Sequence, residues 1–157
     1  MSKGQSKRDQ EPAEPLPYAV TIEVRDRCLC LFLQRAARAA ARQFDEALRP
    51  HGLTNGQFSL LMSLNRPEPA TLGAVALLLA MDRTTLTANL KPLERRGLVR
   101  SLADAADARR RRLCLTPAGR RLLAAALPVW RRTEAEMEGK VGETDAPHLR
   151  AMLSLLM

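Results

Sequence analysis

Aromatic side chains are scarce in this sequence: three phenylalanines, one tyrosine and one tryptophan among 157 residues. A core built from it must consist mainly of leucine, alanine and valine. Cysteine is almost as rare, with only Cys28, Cys30 and Cys114, which excludes a disulfide framework. With only His51 and His148 to help, those cysteines cannot form two-ligand zinc knuckles either. No glycine-rich phosphate loop and no metal-ligand spacing is present, and His, Tyr and Trp are too few for an obvious catalytic group. These absences argue against an enzyme, and no cofactor is implied. No apolar run is long enough to span a bilayer. The opening stretch "MSKGQSKRDQEPAEPLP" lacks the apolar middle of a signal peptide. The expectation is a cytoplasmic protein with reduced thiols and no membrane partner.

What is present is basic charge. Twenty-five Lys and Arg face seventeen Asp and Glu, a formal net of +8, on a chain that is 46% hydrophobic. Such a balance points to a polyanionic partner, nucleic acid or an anionic surface. The charge is not spread evenly. Residues 82–112 hold nine Lys/Arg against four Asp/Glu, a net of +5. The arginines cluster on a predicted hairpin rather than along an amphipathic helix, which disfavours a membrane-surface role.

Residues 1–18 are polar and proline-rich and read as a flexible arm. From Thr21 to Leu48 the chain is rich in alanine and leucine, without Gly or Pro, and predicts one long helix. "RPHG" ends it, with Gly52 suited to a left-handed cap. Thr54, Thr71 and Asp82 are placed to cap three short helices, the last reaching Arg96 and Gly97. "LVRSL" and "RRLCL" have strand character and flank an acidic turn. Thr116-Pro117 starts another helix, in which Pro128 should introduce a bend, and an amphipathic piece holds Leu149, Met152, Leu153 and Leu156.

Two short helices followed by a hairpin make a winged helix-turn-helix, so the expected fold is mainly α with a two-stranded wing. In the second of those helices Leu86, Leu90 and Leu93 form the inner face. Arg83, Thr84, Thr85, Thr87, Ala88 and Asn89 are left outside, short polar groups that can reach base edges or phosphates without bulk. Pro92 predicts a kink, or a break after Leu90. In the hairpin, Leu113 and Leu115 should face the core and Arg112 and Cys114 the other side. Asp104 and Asp107 are turn builders that can also aim an arginine. Arg109 is the candidate for a narrow minor groove, with Arg110, Arg111 and Arg112 left for phosphates.

The wing sequence "DAADARRRRLCLTPAG" resembles the D-x-x-D-x-R, alternating strand and L-T-x-x-G pattern of the MarR family of bacterial transcriptional regulators. Asp104, Asp107, Arg109, Leu115, Thr116 and Gly119 stand at its positions, and "GLTNGQFSLL" and "LERRGLV" are further similar stretches. The resemblance runs from about Asp26 to Gly142. It implies a homodimer in which residues 19–50 and 117–157 are dimerisation helices around a DNA-binding domain at 51–116. It further implies double-stranded DNA with a near-palindromic operator as partner. A repressor's role is implied too, with release by a small phenolic or carboxylic ligand that Arg38 or Arg42 could meet. A second branch of the family senses oxidants, and Cys30 with Leu33 and Arg38 resembles its sensing helix. The tyrosines of that branch are absent, Gln34 standing where one is expected. Cys28 and Cys30 read equally as small buried hydrophobes in a helix, Cys114 as a strand filler, and His51 and His148 as surface residues. A non-specific architectural DNA binder would use the same basic wing.

Overall fold

The computed structural model describes residues 15–104, 111–142 and 144–157. The chain divides into two units, Met1–Ala37 and Arg38–Met157. The first contains helix α1, Tyr18–Arg27, and the beginning of α2, Leu29–Leu48. Composition predicts a single helix over 21–48, but Cys28 is extended (φ −72°, ψ 102°) and separates two. Val20, Thr21, Ile22 and Val24 are β-branched and lose side-chain freedom in a helix. No residue of α1 is buried, so neither propensity nor packing keeps Cys28 in helical geometry, although its N–H still donates to the Val24 carbonyl at 2.9 Å and its carbonyl accepts from Phe32 at 3.1 Å. Val24, Leu29 and Phe32 are exposed.

The second unit follows its capping residues closely. After a 3-10 turn at Arg49–His51, Gly52 is left-handed (φ 63°) and its N–H donates to the Arg49 carbonyl at 2.8 Å. Helix α3, Asn55–Ser63, opens with a capping box: the Gln57 N–H donates to the Thr54 hydroxyl, and the Thr54 N–H to the Gln57 side chain. Helix α4, Leu72–Leu78, is capped by Thr71, and α5, Arg83–Arg95, by Asp82. Helix α6, Pro117–Val141, is capped by Thr116, and α7 covers Asp145–Ser154.

Three strands form one antiparallel sheet in the order β1-β3-β2. The hairpin pairs β2, Val99–Ala103, with β3, Arg111–Leu115, in the register Val99 to Leu115 and Ser101 to Leu113. The third strand is β1, Ala70–Thr71, which adds to the far side of β3. Its two residues are too few to show alternation in the sequence.

The core lies where these elements meet. Leu48, Leu60, Leu61, Leu86, Leu93, Leu113, Leu115 and Val75 are less than 2% exposed. Each such leucine contributes about 2 kcal/mol by leaving water. Phe58 of α3 stacks on Trp130 of α6, ring centroids 6.1 Å apart, so an aromatic pair joins helices that are distant in sequence.

Neither internal proline breaks its helix. Helix α5 runs unbroken through Pro92 to Arg95, and α6 through Pro128 to Val141. A proline inside a helix costs about 3 kcal/mol. In α5 the burial of Leu86, Leu90 and Leu93 around it offsets that cost. The expected break after Leu90 therefore does not occur.

Candidate nucleic-acid interface

The direction in which α5 faces outward follows from what it buries. Leu86, Leu90 and Leu93 are buried against the core. At 3.6 residues per turn the opposite side carries Thr84, Ala88, Lys91 and Arg95, and all four are exposed. Lys91 and Arg95 were not among the residues singled out from the sequence. The signal that finds them is the leucine spacing carried one turn past Pro92.

The other expected contacts fall beside this stripe. Arg83 is exposed at the helix start, with its guanidinium over Gly73. The Thr85 hydroxyl donates to Asp82 at 2.6 Å and the Thr87 hydroxyl to the Arg83 carbonyl at 2.7 Å. Each has thereby used its only donor hydrogen. Asn89 is half-buried. Thr84 is the hydroxyl that points straight out.

Asp82 fixes the N-terminus of α5. It accepts from the Thr85 N–H at 2.8 Å as well as from the Thr85 hydroxyl. These bonds hold its carboxyl below the usual carboxylate range. The turn before it is tight: Ala80 has φ 48°, and the Met81 N–H reaches back to the Ala76 carbonyl at 2.9 Å. This is a helix C-terminus of the kind usually closed by glycine. At the other end of α5 the Leu98 N–H donates to the Leu93 carbonyl at 3.0 Å, around a left-handed Gly97.

The wing is anchored at its base. Asp104 is buried, its side chain only 6% exposed, and accepts from Arg112 Nε at 2.6 Å. A second Arg112 nitrogen, Nη1, donates to the Pro69 carbonyl at 3.3 Å. Arg112 was expected to be free for phosphates. It is instead turned along the sheet as a brace between wing and β1, because a buried carboxylate requires a charged partner. Arg111, its neighbour, is exposed at the wing end of β3. Asp107, Arg109 and Arg110 lie outside the described residues.

Cys114 sits on the outer face of β3, where Arg100 Nε donates to its sulfur at 3.2 Å. Cys30 is exposed and accepts from Gln34 Nε2 at 3.4 Å, while Cys28 is half-buried. Arg38 and Arg42 are both exposed on α2, one turn apart. Neither lines the open groove of about 500 Å³ formed by Arg66, Pro67, Glu68, Pro69, Thr71 and Arg112. Among the described residues no three His, Cys, Asp or Glu groups are placed to hold a metal ion, and no helix is long and apolar enough to cross a membrane.

Comparison with known proteins adds to this geometry. The MarR family profile matches residues 51–110, which run from the end of the 3-10 turn into the wing. The Escherichia coli transcriptional regulator HosA is 37% identical over 91 residues, 57% of this chain and 66% of HosA. The chain spans between 50% and 66% of the length of the curated relatives it matches. Solved structures match more fully. The M. tuberculosis transcriptional regulator MosR in complex with DNA has a TM-score of 0.75 and 43% identity, covering 82% of this chain and 92% of MosR. The transcriptional repressor CouR bound to a 23-mer DNA duplex has a TM-score of 0.76 and 29% identity, covering 90% of this chain and 98% of CouR.

Proposed function

Because the chain belongs to the MarR family of transcriptional regulators, we propose that it is a repressor binding a near-palindromic DNA operator as a homodimer in the cytoplasm. The observation that carries this reading is the outward stripe of α5. It combines a free hydroxyl, a methyl group and two cations, with no carboxylate among them. Such a face suits a major groove, where polar groups meet base edges and cations meet phosphates. Arg109, Arg110 and Arg111 are the wing arginines we assign to the adjacent minor groove and its phosphates, in a hairpin whose base is braced by Asp104 and Arg112. That MosR and CouR were each solved with DNA supports DNA as the partner.

The dimer is supported by apolar side chains without cover. Leu29 and Phe32 in the first unit, Leu149 and Met152 on α7, and Leu156 just beyond it are exposed. Residues of this kind are normally buried by association. A two-fold dimer implies half-sites about one helical turn apart. Release follows binding of a small phenolic or carboxylic ligand, for which Arg38 and Arg42 offer guanidinium groups. The exposed Cys30 thiol, with a hydrogen-bond donor from Gln34, favours oxidation as the second reading of the switch.

Binding to the promoter beside its own gene, measured against random duplex, tests the proposal. A preference of about 10³-fold or more is expected of a regulator. Equal affinity for random DNA would make the protein an architectural binder. Mild peroxide applied to wild type and Cys30→Ser separates the two switches: loss of binding only in wild type would assign it to the thiol.

A further inference from the structure

The loop between α3 and β1 ends in Arg66-Pro67-Glu68-Pro69, each charged residue standing directly ahead of a proline. A proline locks its own φ and restricts the residue before it. The Arg66 N–H donates to the Leu64 carbonyl at 2.9 Å, and Pro69 leads into Ala70, which pairs with Leu113 of β3. A stiff segment held at both ends thus carries one cation and one anion. Both line the open groove of about 500 Å³ beside β1, a size that suits a small molecule. Among the described residues neither side chain has a hydrogen-bond or ion-pair partner.

The groove adds two further donors. Arg112 gives Nε to Asp104 and Nη1 to the Pro69 carbonyl, which fixes the plane of its guanidinium and leaves Nη2 unbonded. The Thr71 hydroxyl accepts from the Ala74 N–H at 3.2 Å and keeps its own hydrogen to donate. Arg66, Arg112 and Thr71 together make a receptor for an oxyanion. Glu68 sets a condition on that oxyanion. It repels a phosphodiester, and it calls for a cation on the same ligand. Pro67 and Pro69 supply apolar surface for the body of such a molecule.

We propose that this groove is an effector site for a zwitterionic amino carboxylate, with the carboxylate on Arg66 and Arg112 and the ammonium on Glu68. A second carboxylate on Arg112 competes with Asp104 and the Pro69 carbonyl for one guanidinium. Occupancy therefore loosens the brace between wing and β1 and weakens the hold on DNA. The inference rests on the reading of the chain as a ligand-released regulator, and it sets the ligand apart from Arg38 and Arg42, which do not line the groove.

The test uses the full-length protein and four probes. Phenylalanine and 4-(aminomethyl)benzoate carry both charges, at short and long separation, while benzoate and benzylamine carry one each. Calorimetry reads binding, and titration of the promoter duplex reads release. At least one zwitterion should bind wild type about tenfold more tightly than benzoate or benzylamine, as for one charge-assisted bond gained. It should lower promoter affinity as it saturates. Arg66→Gln should bind it about tenfold more weakly, and Glu68→Gln no better than benzoate. Both residues are exposed, so neither change disturbs the core. The proposal is overturned if no zwitterion binds, if benzoate binds as well, or if saturation leaves promoter affinity unchanged. It is also overturned if binding is lost in Arg38→Gln or Arg42→Gln and kept in Arg66→Gln. Without any probe, a weaker promoter complex of Arg66→Gln with its salt slope lowered by about one would assign the groove to a DNA phosphate instead. Failure of the underlying reading looks different: promoter and random duplex would then bind alike with no probe present, whatever calorimetry reads.

Discussion

Replacing Gly119 with alanine should destabilise the winged domain by about 3 kcal/mol, although alanine is the better helix former. A Cβ at position 119 would lie 2.1 Å from the Leu98 carbonyl oxygen and 3.3 Å from a Leu115 methyl group. Ordinary carbon–oxygen contact is about 3.3 Å, so backbone must give way by roughly 1 Å. Overpacking of that kind costs about 2 kcal/mol. The Leu98 carbonyl is also the acceptor for the Thr116 N–H at 3.0 Å and the Thr116 hydroxyl at 3.2 Å. Displacing it weakens the backbone bond and the hydroxyl hydrogen shared with the Gly97 carbonyl, together about 1–2 kcal/mol. The gain in helix propensity returns about 1 kcal/mol. For a chain of this length the net loss corresponds to a fall in Tm of about 6 to 12 °C. Thermal melts should be run at one protein concentration, since association contributes to stability. Gly139→Ala is the internal reference. Gly139 is exposed in the same helix with nothing within 4 Å of an added Cβ, and alanine there should stabilise by about 0.5–1 kcal/mol. A Gly119→Ala protein melting within 2 °C of wild type would refute the reasoning.

Ala80→Gly should raise stability by about 0.5–1 kcal/mol in thermal melts, because glycine relieves the left-handed backbone at φ 48°. Arg112→Ala should cost about 2 kcal/mol in urea unfolding, since the buried Asp104 loses its charged donor. Arg112→Lys should recover little of this, a single ammonium being unable to replace the planar fork that meets both Asp104 and Pro69. Lys91→Ala and Arg95→Ala should each lower the slope of log affinity against log salt by about one, read from operator titrations at several salt concentrations. The cap at Asp82 carries a pH dependence whose sign follows from its lowered carboxyl. Its contribution is fully present above about pH 4 and is lost as the pH falls through the lowered folded-state value. Unfolding of wild type and Asp82→Asn compared at pH 7 and pH 3 should show this loss in wild type alone.

The parts of the fold that were legible in the sequence are those decided by neighbours in the chain. Thr54, Thr71, Asp82 and Thr116 cap their helices by bonding an N–H three residues on, and Gly52 ends its turn through its own φ. The hairpin likewise shows in the alternation of Leu113 and Leu115, both 1% exposed. What the sequence hid depends on distant partners. Pro92 predicts a kink or a break after Leu90; the break does not occur, because burial of leucines on both sides holds the helix together. Arg112 reads as one of three arginines left for phosphates until the buried Asp104 and the Pro69 carbonyl claim it. The gap at Cys28 is the converse case, a sequence without Gly or Pro whose first helix lacks the packing that would hold it in line. For the candidate interface the sequence offers short polar groups and arginines; Lys91 and Arg95 join the exposed face of α5 because the helix continues past Leu90.

The C-terminal end of α5 is where the reading helix meets the rest of its unit. Arg96 Nη1 donates to the Gly52 carbonyl at 2.7 Å, tying that end to the turn that closes α2. From the other side the Thr116 hydroxyl donates to the Gly97 carbonyl at 2.6 Å, tying it to the start of α6. Gly119 lets α6 approach the Leu98 carbonyl more closely than any side chain would permit. Two consecutive residues, Arg96 and Gly97, thus hold one end of α5 between the two longest helices of the chain. The other end, at Asp82 and Thr85, is capped only by its own exposed side chains. The C-terminal end of α5 is thus bonded both to the turn that closes α2 and to the start of α6, while Leu86, Leu90 and Leu93 hold its length to the core and leave the stripe of Thr84, Ala88, Lys91 and Arg95 outward.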